Sequence, residues 1–281
     1  MLTVEDHSRD SIGMTYVYPV LSRRAGGLSV GINLNPNNKC NWRCIYCQVP
    51  NLKRGSAPEI DLGKLESELH PFLQDVVNGT FFDRENVEPT LRNIKDIALS
   101  GNGESTSATE FDQIIILIGK VMREFDLVGN IKLVLITNGS YIQRSHVQKG
   151  LQTMAELNGE VWFKLDSATE TGMKNINSIN RSINSVMSNL DRACRLCPTW
   201  LQTCVFKKNG QPPSEKEQDA YISFVQQILS NNTPLKGILL YGLARPSLQP
   251  EAPELTTLEP AWLESFAERL RKLSLPVKVS I

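Results

Sequence analysis

Strand-like and helix-like segments alternate along nearly the whole chain, and this alternation limits the possible folds more than any other feature. Apolar, β-leaning runs are each followed by a segment whose apolar residues have helical spacing. Because strands joined through helices run parallel, repeated βα units predict one parallel sheet with helices outside it. The predicted strands are 28–34, 93–99, 131–136, 160–165, 199–206, 236–241 and 276–281. The predicted helices are 61–77, 109–125, 145–157, 179–196, 214–229 and 261–272.

A chain of 281 residues has room for one or two domains. We interpret residues 1–27 as an N-terminal extension in which 16–20 adds an edge strand, and 28–281 as a single domain. The sequence contains no internal repeat and no low-complexity segment. The long connections at 78–92 and 246–257 are therefore predicted to be insertions within one architecture.

Polar and glycine-rich motifs follow the predicted strands. Ser100-Gly-Asn-Gly-Glu104, Thr137-Asn-Gly139, Asp166-Ser167 and Gly242-Leu-Ala-Arg245 each begin where a strand ends. The carboxyl ends of parallel strands form one rim, where α/β sheets and barrels bind their ligands. We therefore expect these four motifs to lie around a common site.

Three cysteines follow the first predicted strand in the pattern Cys40-x3-Cys44-x2-Cys47. Thiolates this close in sequence converge on one centre with little chain-closure cost. Four thiolates suit a closed zinc site or an electron-transfer cluster, whereas three thiolates on a [4Fe–4S] cluster leave one iron open. The three histidines, His7, His70 and His146, lack zinc-finger spacing to this loop, so a zinc site is an alternative with no support.

Composition narrows the class of protein further. All six cysteines fall in two clusters, which favours metal or redox chemistry in a reducing cytoplasm over a disulfide framework. Lys+Arg and Asp+Glu number 30 each, so net charge gives no support for a nucleic-acid partner. The polar, acidic N-terminus has no visible signal peptide, and no apolar run approaches membrane-spanning length. We expect a cytoplasmic protein without a membrane partner.

The cysteine loop, with Tyr46 directly before its last cysteine, resembles the radical S-adenosylmethionine (radical SAM) superfamily. The resemblance extends over about 28–245 and implies a partial (β/α)6, TIM-like barrel. It implies a [4Fe–4S] cluster held by Cys40, Cys44 and Cys47, with SAM on the open iron. It further implies reductive cleavage of SAM to a 5′-deoxyadenosyl radical that abstracts hydrogen from a substrate, with reduced ferredoxin or flavodoxin as electron donor.

The same resemblance implies SAM contacts at the strand ends. The implied contacts are Tyr46 and Leu243 at adenine, Gly101, Gly103 and Glu104 at the methionyl part, and Asp166 and Ser167 at the ribose. Gln202 is a polar residue that interrupts an apolar strand, so we expect it to face the barrel interior and contact SAM or substrate. Each has a plainer alternative: a simple strand-to-helix turn at 100–104, a helix N-cap at Asp166 or Ser167, and an exposed strand edge at Gln202. Lys164 and Arg245 each have two alternatives, a contact with a ligand or an ion pair at the surface.

The second cysteine cluster, Cys194, Cys197 and Cys204, is predicted to consist of structural or substrate-proximal thiols and not to hold a second iron–sulfur cluster. Alternation along the strand places Gln202 and Cys204 on one face. The sequence around 31–50 also resembles a branch of uncharacterised radical SAM oxidoreductases distantly related to the enzymes that form tricyclic tRNA bases.

The substrate is predicted to be a small molecule or a partner-presented group, with tRNA-base or peptide modification as an alternative. An iron–sulfur electron-transfer or scaffold protein without SAM chemistry is an alternative of another class, as is a structural zinc protein.

Overall fold

A single eight-stranded sheet runs through the chain in the computed structural model, which describes residues 13–22 and 26–280. The strands lie side by side in chain order. The first two, Val17–Ser22 and Gly27–Ile32, pair antiparallel, and every later pair of neighbours is parallel. This order confirms the predicted α/β class with a parallel sheet. The strands are β1 Val17–Ser22, β2 Gly27–Ile32, β3 Ile94–Leu99, β4 Lys132–Thr137, β5 Gly159–Lys164, β6 Thr199–Cys204, β7 Leu235–Tyr241 and β8 Val277–Ser280.

Helices connect the parallel strands, and the longer helices bury one apolar face in the core. In α3, Phe111–Glu124, the side chains of Ile114, Ile118 and Val121 are fully buried, at the spacing of one helix face. None of the helices in the described residues combines the length and apolarity needed to cross a bilayer. The helices are α1 Leu62–Asn78, α2 Phe81–Arg84, α3 Phe111–Glu124, α4 Ser145–Glu156, α5 Glu170–Asn177, α6 Ile183–Leu196, α7 Glu215–Ser230 and α8 Pro260–Arg271.

The predicted helix at 179–196 is present as α6 but begins four residues later, at Ile183, and the separate helix α5 at Glu170–Asn177 was not predicted. The side chain of Thr169 caps α5 by accepting from the backbone N of Gly172 at 2.9 Å. Ser178 takes the left-handed conformation with φ 54°, which ends α5, and Ser182 then caps α6. The serines that lower helix propensity in this stretch thus act as its helix boundaries.

Two insertions extend the carboxyl edge of the sheet. The cysteine loop between β2 and α1 contains a two-stranded parallel ribbon of Lys39–Cys40 and Lys53–Arg54. The long connection after β7, residues 246–257 and here called the strap, pairs Leu255–Thr256 with Lys207–Lys208. Both insertions therefore lie at the rim where the strand-end motifs meet.

Candidate active site

The three loop cysteines are half-buried free thiols. Cys40 lies in the ribbon, where its carbonyl accepts from the backbone N of Gly55 at 3.1 Å. Its Sγ accepts from the backbone N of Trp42 at 3.4 Å. Cys44 and Cys47 are tied by a turn in which the Cys47 N donates to the Cys44 carbonyl at 3.0 Å. Hydrogen bonds within the protein thus fix the conformation of the loop.

The end of α5 holds the middle of this loop. The backbone N of Ile45 donates to the Ile176 carbonyl at 2.8 Å. The Nδ2 of the buried Asn177 donates both to Cys44 Sγ at 3.2 Å and to Asp166 Oδ2 at 2.8 Å. One amide therefore links a cysteine of the loop to the carboxylate after β5, the residue expected at the SAM ribose.

Burial opposes ionisation of two of the loop thiols, whereas N–H donors at their sulfurs favour it. Burial raises the pKa of Cys40 to about 12, although the backbone N–H of Trp42 works against the rise. Burial also raises the pKa of Cys44 well above the usual range of a thiol. A coordinating metal removes such a proton outright, and N–H donors at the sulfurs stabilise the thiolate. The donor set of Cys40, Cys44 and Cys47 therefore fits an iron–sulfur cluster.

A compact zinc site has no support in this structure. Within residues 13–22 and 26–280, no three His, Cys, Asp or Glu side chains converge closely enough for a single ion. A [4Fe–4S] cluster does not need that convergence, because each thiolate binds a separate iron. His70 contacts Glu124 at 3.2 Å and packs against Phe125, while His7 lies outside the described residues.

The strap closes over the cysteine loop from the far end of the chain. The hydroxyl of Ser247 donates to the Ile45 carbonyl at 2.7 Å, and the backbone N of Leu248 donates to the Cys47 carbonyl at 2.9 Å. Gln249 Nε2 reaches the Val49 carbonyl at 3.0 Å. The predicted insertion at 246–257 thus holds the backbone of the cysteine loop.

Glu104 is buried, and its carboxylate links two strand-end motifs by hydrogen bonds. Its Oε1 accepts from the backbone N of Thr106 at 3.1 Å and from the Thr137 hydroxyl at 2.6 Å, while Oε2 accepts from the Asn138 N at 2.6 Å. Burial raises the pKa of Glu104, and these donors oppose the rise. Oε2 has one such bond and keeps acceptor capacity for a further donor.

Gly101 and Gly103 pack directly against the start of the cysteine loop. A Cβ on Gly101 would lie 2.3 Å from Asn33 Oδ1. A Cβ on Gly103 would lie 2.1 Å from the Lys39 carbonyl and 2.6 Å from Asn35 Cγ. These glycines let the loops after β2 and β3 approach each other, a role that sequence analysis did not predict. Their contact with SAM stays a prediction.

Asp166 organises the opposite side of the site. Its Oδ2 accepts from the Tyr46 hydroxyl at 2.5 Å, and its Oδ1 accepts from the backbone N of Cys204 at 3.0 Å. The Tyr46 ring packs against Phe206, with centroids 5.6 Å apart, in a small apolar cluster that also includes Leu243. The structure therefore brings Tyr46, Asp166 and Leu243 together beside the cysteine loop.

Gln202 is buried in β6, which excludes the exposed-edge alternative. Its Oε1 has no hydrogen-bond partner among the residues that the structure describes. A buried, unsatisfied carbonyl oxygen is unfavourable by about 1–3 kcal/mol. Its neighbour in register is Lys164, whose Nζ donates to the Tyr241 hydroxyl at 3.0 Å, so Lys164 belongs to the site and not to a surface ion pair. A polar group of a ligand would satisfy Gln202.

Ser167 follows Asp166 and connects the end of β5 to α7. Its hydroxyl donates to Glu217 Oε2 at 2.7 Å and contacts the Thr169 hydroxyl. Thr169, and neither Asp166 nor Ser167, caps the following helix. The contacts of Asp166 and Ser167 with the SAM ribose both stay predictions.

The second cysteine cluster is divided between the two ends of β6. Cys194 and Cys197 are buried in the main core before the strand begins, whereas Cys204 ends the strand beside Tyr46. At about 3.3 Å per residue, roughly 20 Å separates Cys197 from Cys204. The three thiols are therefore not brought together, and Cys204 alone adjoins the candidate site.

A partly enclosed cavity of about 200 Å³ lies beside Asp166 and Cys204. Phe206 and Tyr221 supply apolar walls, and Glu217 lies at its side. Sequence analysis missed this cavity, and it also missed Asn177, Ser247 and Gln249. A buried asparagine in a short helix has no sequence pattern of its own, and the strap contacts join segments about 200 positions apart.

Comparison with known proteins identifies the family. A family model described as the Radical SAM superfamily matches residues 34–215. The chain therefore belongs to the radical SAM superfamily and is an enzyme of that class, which confirms the resemblance seen in the cysteine loop. Members of this superfamily use a [4Fe–4S] cluster and SAM, perform SAM-dependent radical chemistry and need an electron donor.

Two curated relatives are similar over about three quarters of the chain. A protein named GTPase Obg from Brachyspira hyodysenteriae is 24% identical over 221 residues, which are 77% of this chain and 29% of that protein. A UPF0026 protein of Helicobacter pylori is 24% identical over 212 residues, 75% of this chain and 61% of that protein. The chain thus spans less than two thirds of the length of either relative.

Solved structures confirm the partial, TIM-like barrel. Streptococcus suis SuiB bound to precursor peptide SuiA has a TM-score of 0.59 at 10% identity, covering 92% of this chain and 49% of that one. TYW1 with a lysine-pyruvate adduct bound has a TM-score of 0.57 at 13% identity, covering 88% of this chain and 74% of that one. At these identities the likeness establishes the fold alone.

Proposed function

We propose that this chain holds its [4Fe–4S] cluster through Cys40, Cys44 and Cys47 and cleaves SAM reductively to begin hydrogen abstraction from a substrate. One observation carries the proposal: Asn177 Nδ2 bonds Cys44 Sγ at 3.2 Å and Asp166 Oδ2 at 2.8 Å. A cluster ligand and a candidate SAM contact are thereby held in adjacent positions by one side chain. A protein that only stored or relayed electrons would need no such link.

The protein's own groups would support the cluster thiolates. Trp42 N and Asn177 Nδ2 donate to sulfur, and such bonds tune cluster potential. The ion pair of Arg43 with Glu251 and the backbone bonds from the strap hold the loop in place, because they join it to a distant segment of the chain. Supporting interactions of this kind orient ligands and strengthen metal binding.

The remaining site residues would hold SAM. Asp166 would accept from the ribose hydroxyls, Gln202 Oε1 would accept from a donor on SAM or substrate, and Tyr46 and Leu243 would pack near adenine. The remaining acceptor capacity of Glu104 Oε2 suits the SAM ammonium. When bound and reduced, this cofactor pair supplies the 5′-deoxyadenosyl radical that takes hydrogen from substrate.

The substrate proposed is a small molecule or a small group presented by a partner. The cavity of about 200 Å³ beside Cys204 has a matching size, and balanced charge gives nucleic acid no general attraction. The likeness to SuiB with its bound precursor peptide leaves peptide modification as an alternative, and tRNA-base modification remains the other alternative expected from the sequence. We also propose that residues 28–281 form one domain, because strands from β2 to β8 share one sheet.

The test is anaerobic reconstitution followed by reduction with dithionite in the presence of SAM. We expect iron and sulfide near four each per chain, as a [4Fe–4S] cluster requires, and we expect methionine and 5′-deoxyadenosine as products. The Cys44→Ala variant, prepared in parallel, should yield neither a cluster nor products. A full cluster that cleaves no SAM, alone or with candidate substrates, would support a scaffold protein. A colourless, sulfide-free metal site would support structural zinc.

A further inference from the structure

A long stretch around the cysteine loop carries positive charge and no negative charge. Residues 11–58 contain no Asp or Glu, although the whole chain has 30 acidic and 30 basic residues. The basic residues of this stretch are Arg23, Arg24, Lys39, Arg43, Lys53 and Arg54. Arg23 and Arg24 lie outside the described residues. The structure nevertheless places the other four at the cysteine loop.

Three of these four cations lie on the ribbon that contains Cys40. Lys39 is paired with Lys53 and Cys40 with Arg54, and all three basic side chains are exposed. Gly55, which has no side chain, lies against the aliphatic stem of Lys39. The ribbon thus presents a small basic face directly beside a proposed cluster ligand.

This face is not neutralised by the protein itself. Arg43 is paired with Glu251, but neither Lys39 nor Lys53 has an ion pair within the described part of the chain. Arg54 is fixed by donating to the backbone carbonyls of Asn41 and Ser178, which carry no net charge. Two lysines and one arginine therefore keep their charge available for a partner.

We propose that Lys39, Lys53 and Arg54 form the docking surface for an acidic protein that donates one electron at a time. This inference rests on the proposed function, since the electron is destined for the cluster at Cys40. The donor would lose one electron and the cluster would gain it, and no bond is made or broken at the ribbon. Opposite charges steer such encounters and raise the association rate.

The size of the surface favours a redox protein over a nucleic acid. Electron-transfer encounters are transient and use the smallest class of protein interface. Proteins that bind nucleic acid with an affinity that falls steeply as salt rises make about 6–10 contacts to phosphates. Three neighbouring cations suit the first kind of partner and are too few for the second.

The test is the rate of cluster reduction by reduced flavodoxin, followed by the loss of cluster absorbance in an anaerobic stopped-flow instrument. In the double variant Lys39→Glu/Lys53→Glu we expect the second-order rate constant to fall at least about tenfold at low salt. The difference from the unmodified protein should shrink as salt rises, because exposed charges are screened. The matched control is Lys149→Glu/Lys236→Glu, which changes net charge equally at exposed positions on α4 and at the amino end of β7.

Dithionite separates this inference from the proposed function. Excess dithionite should reduce the cluster of every variant to the same extent and give equal SAM cleavage. If no protein cleaves SAM with dithionite, the proposed function fails, while the flavodoxin rates still report on the docking surface. Equal flavodoxin rates for the ribbon variant and the unmodified protein, or an equal loss in the control, would overturn the docking surface. A ribbon variant that loses affinity for a labelled RNA hairpin but keeps its reduction rate would overturn it as well.

Discussion

Arg43 and Glu251 form a doubly hydrogen-bonded ion pair across 208 positions of the chain, with Nη1–Oε2 at 2.9 Å and Nη2–Oε1 at 2.5 Å. Arg43 lies between the first two loop cysteines, so the pair anchors the strap to the cysteine loop. The side chains are 34% and 21% exposed, which limits the strength of the pair but does not abolish it. Its importance lies in fixing the loop more than in the stability of the whole protein.

Removing this pair should therefore affect the cluster more than the fold. We expect Glu251→Ala to lower the free energy of unfolding by about 1 kcal/mol or less. We expect the reconstituted cluster to lose iron to a chelator several times faster, measured by its visible absorbance. The control is Glu254→Ala, which breaks a strap ion pair with Lys208 that does not reach the loop. Equal rates of iron loss in the two variants would contradict the anchoring role.

Asn177 should control the cluster through its bond to Cys44 Sγ. In Asn177→Ala the sulfur loses an N–H donor, so the reduced cluster is less stabilised and its reduction potential should become more negative. Retention of iron should also weaken by roughly tenfold or more, as for other supporting residues of metal sites. A potentiometric titration followed by electron paramagnetic resonance measures the first effect. Asn175→Ala, an exposed position on the same helix, should leave the potential unchanged, and an unchanged potential in Asn177→Ala would refute the link.

The glycine at position 103 should be intolerant of any side chain. In Gly103→Ala the new Cβ would lie 2.1 Å from the Lys39 carbonyl, so the loops after β2 and β3 must separate. Overpacking of this kind is destabilising by about 1–3 kcal/mol, which urea denaturation of the apoprotein would measure. Gly63→Ala is the control, because its Cβ meets only Asp61 Oδ1 at 3.4 Å and alanine favours the helix. A fully stable Gly103→Ala protein would show that the loops do not need this close approach.

Sequence patterns predicted the parts of this protein that depend on local periodicity. The parallel order of strands β2 to β8 follows from alternating βα units, and the C-x3-C-x2-C spacing identified the cluster loop. Both signals are contained within short windows of sequence. The edge strand expected at 16–20 is likewise present as β1.

Features that depend on contacts between distant segments were not predictable in the same way. The break at Ser178 depends on a left-handed residue, and the bond from Asn177 to Cys44 joins positions 133 apart. Glu104 illustrates a different difficulty. Its motif indicated ligand binding, yet most of its acceptor capacity is used by Thr106, Thr137 and Asn138. A motif at a strand end therefore predicts the location of a side chain better than it predicts its partners.

Cys204 should prove dispensable for the cluster although it adjoins the site. It ends β6 beside Tyr46, but it lies outside the loop that carries Cys40, Cys44 and Cys47. We expect Cys204→Ala to keep at least about nine tenths of the iron and the cluster absorbance, because three thiolates suffice for the cluster and leave one iron for SAM. Cys44→Ala should lose both. Loss of about half the iron in Cys204→Ala would indicate a second iron–sulfur centre.

Substitution of Gln202 should separate an effect on SAM affinity from an effect on the stability of the apoprotein. Its buried Oε1 has no partner in the described residues, so Gln202→Leu removes an unsatisfied group and should leave the stability of the apoprotein unchanged or raise it by about 1 kcal/mol. If Gln202 accepts a donor on SAM, the affinity for SAM should fall about tenfold, equivalent to ~1.4 kcal/mol. Calorimetric titration of SAM into the reconstituted, oxidised protein measures this loss.

The neighbouring Thr203 supplies the control for that experiment. Its side chain points to the opposite face of β6, where its hydroxyl bonds the Tyr221 hydroxyl at 2.6 Å. Thr203→Val should therefore lose about 1 kcal/mol of stability and keep its affinity for SAM. Unchanged SAM affinity in Gln202→Leu would leave substrate as the only group for this amide to bind. A loss of stability in that variant would instead show that a partner within the protein satisfies Oε1.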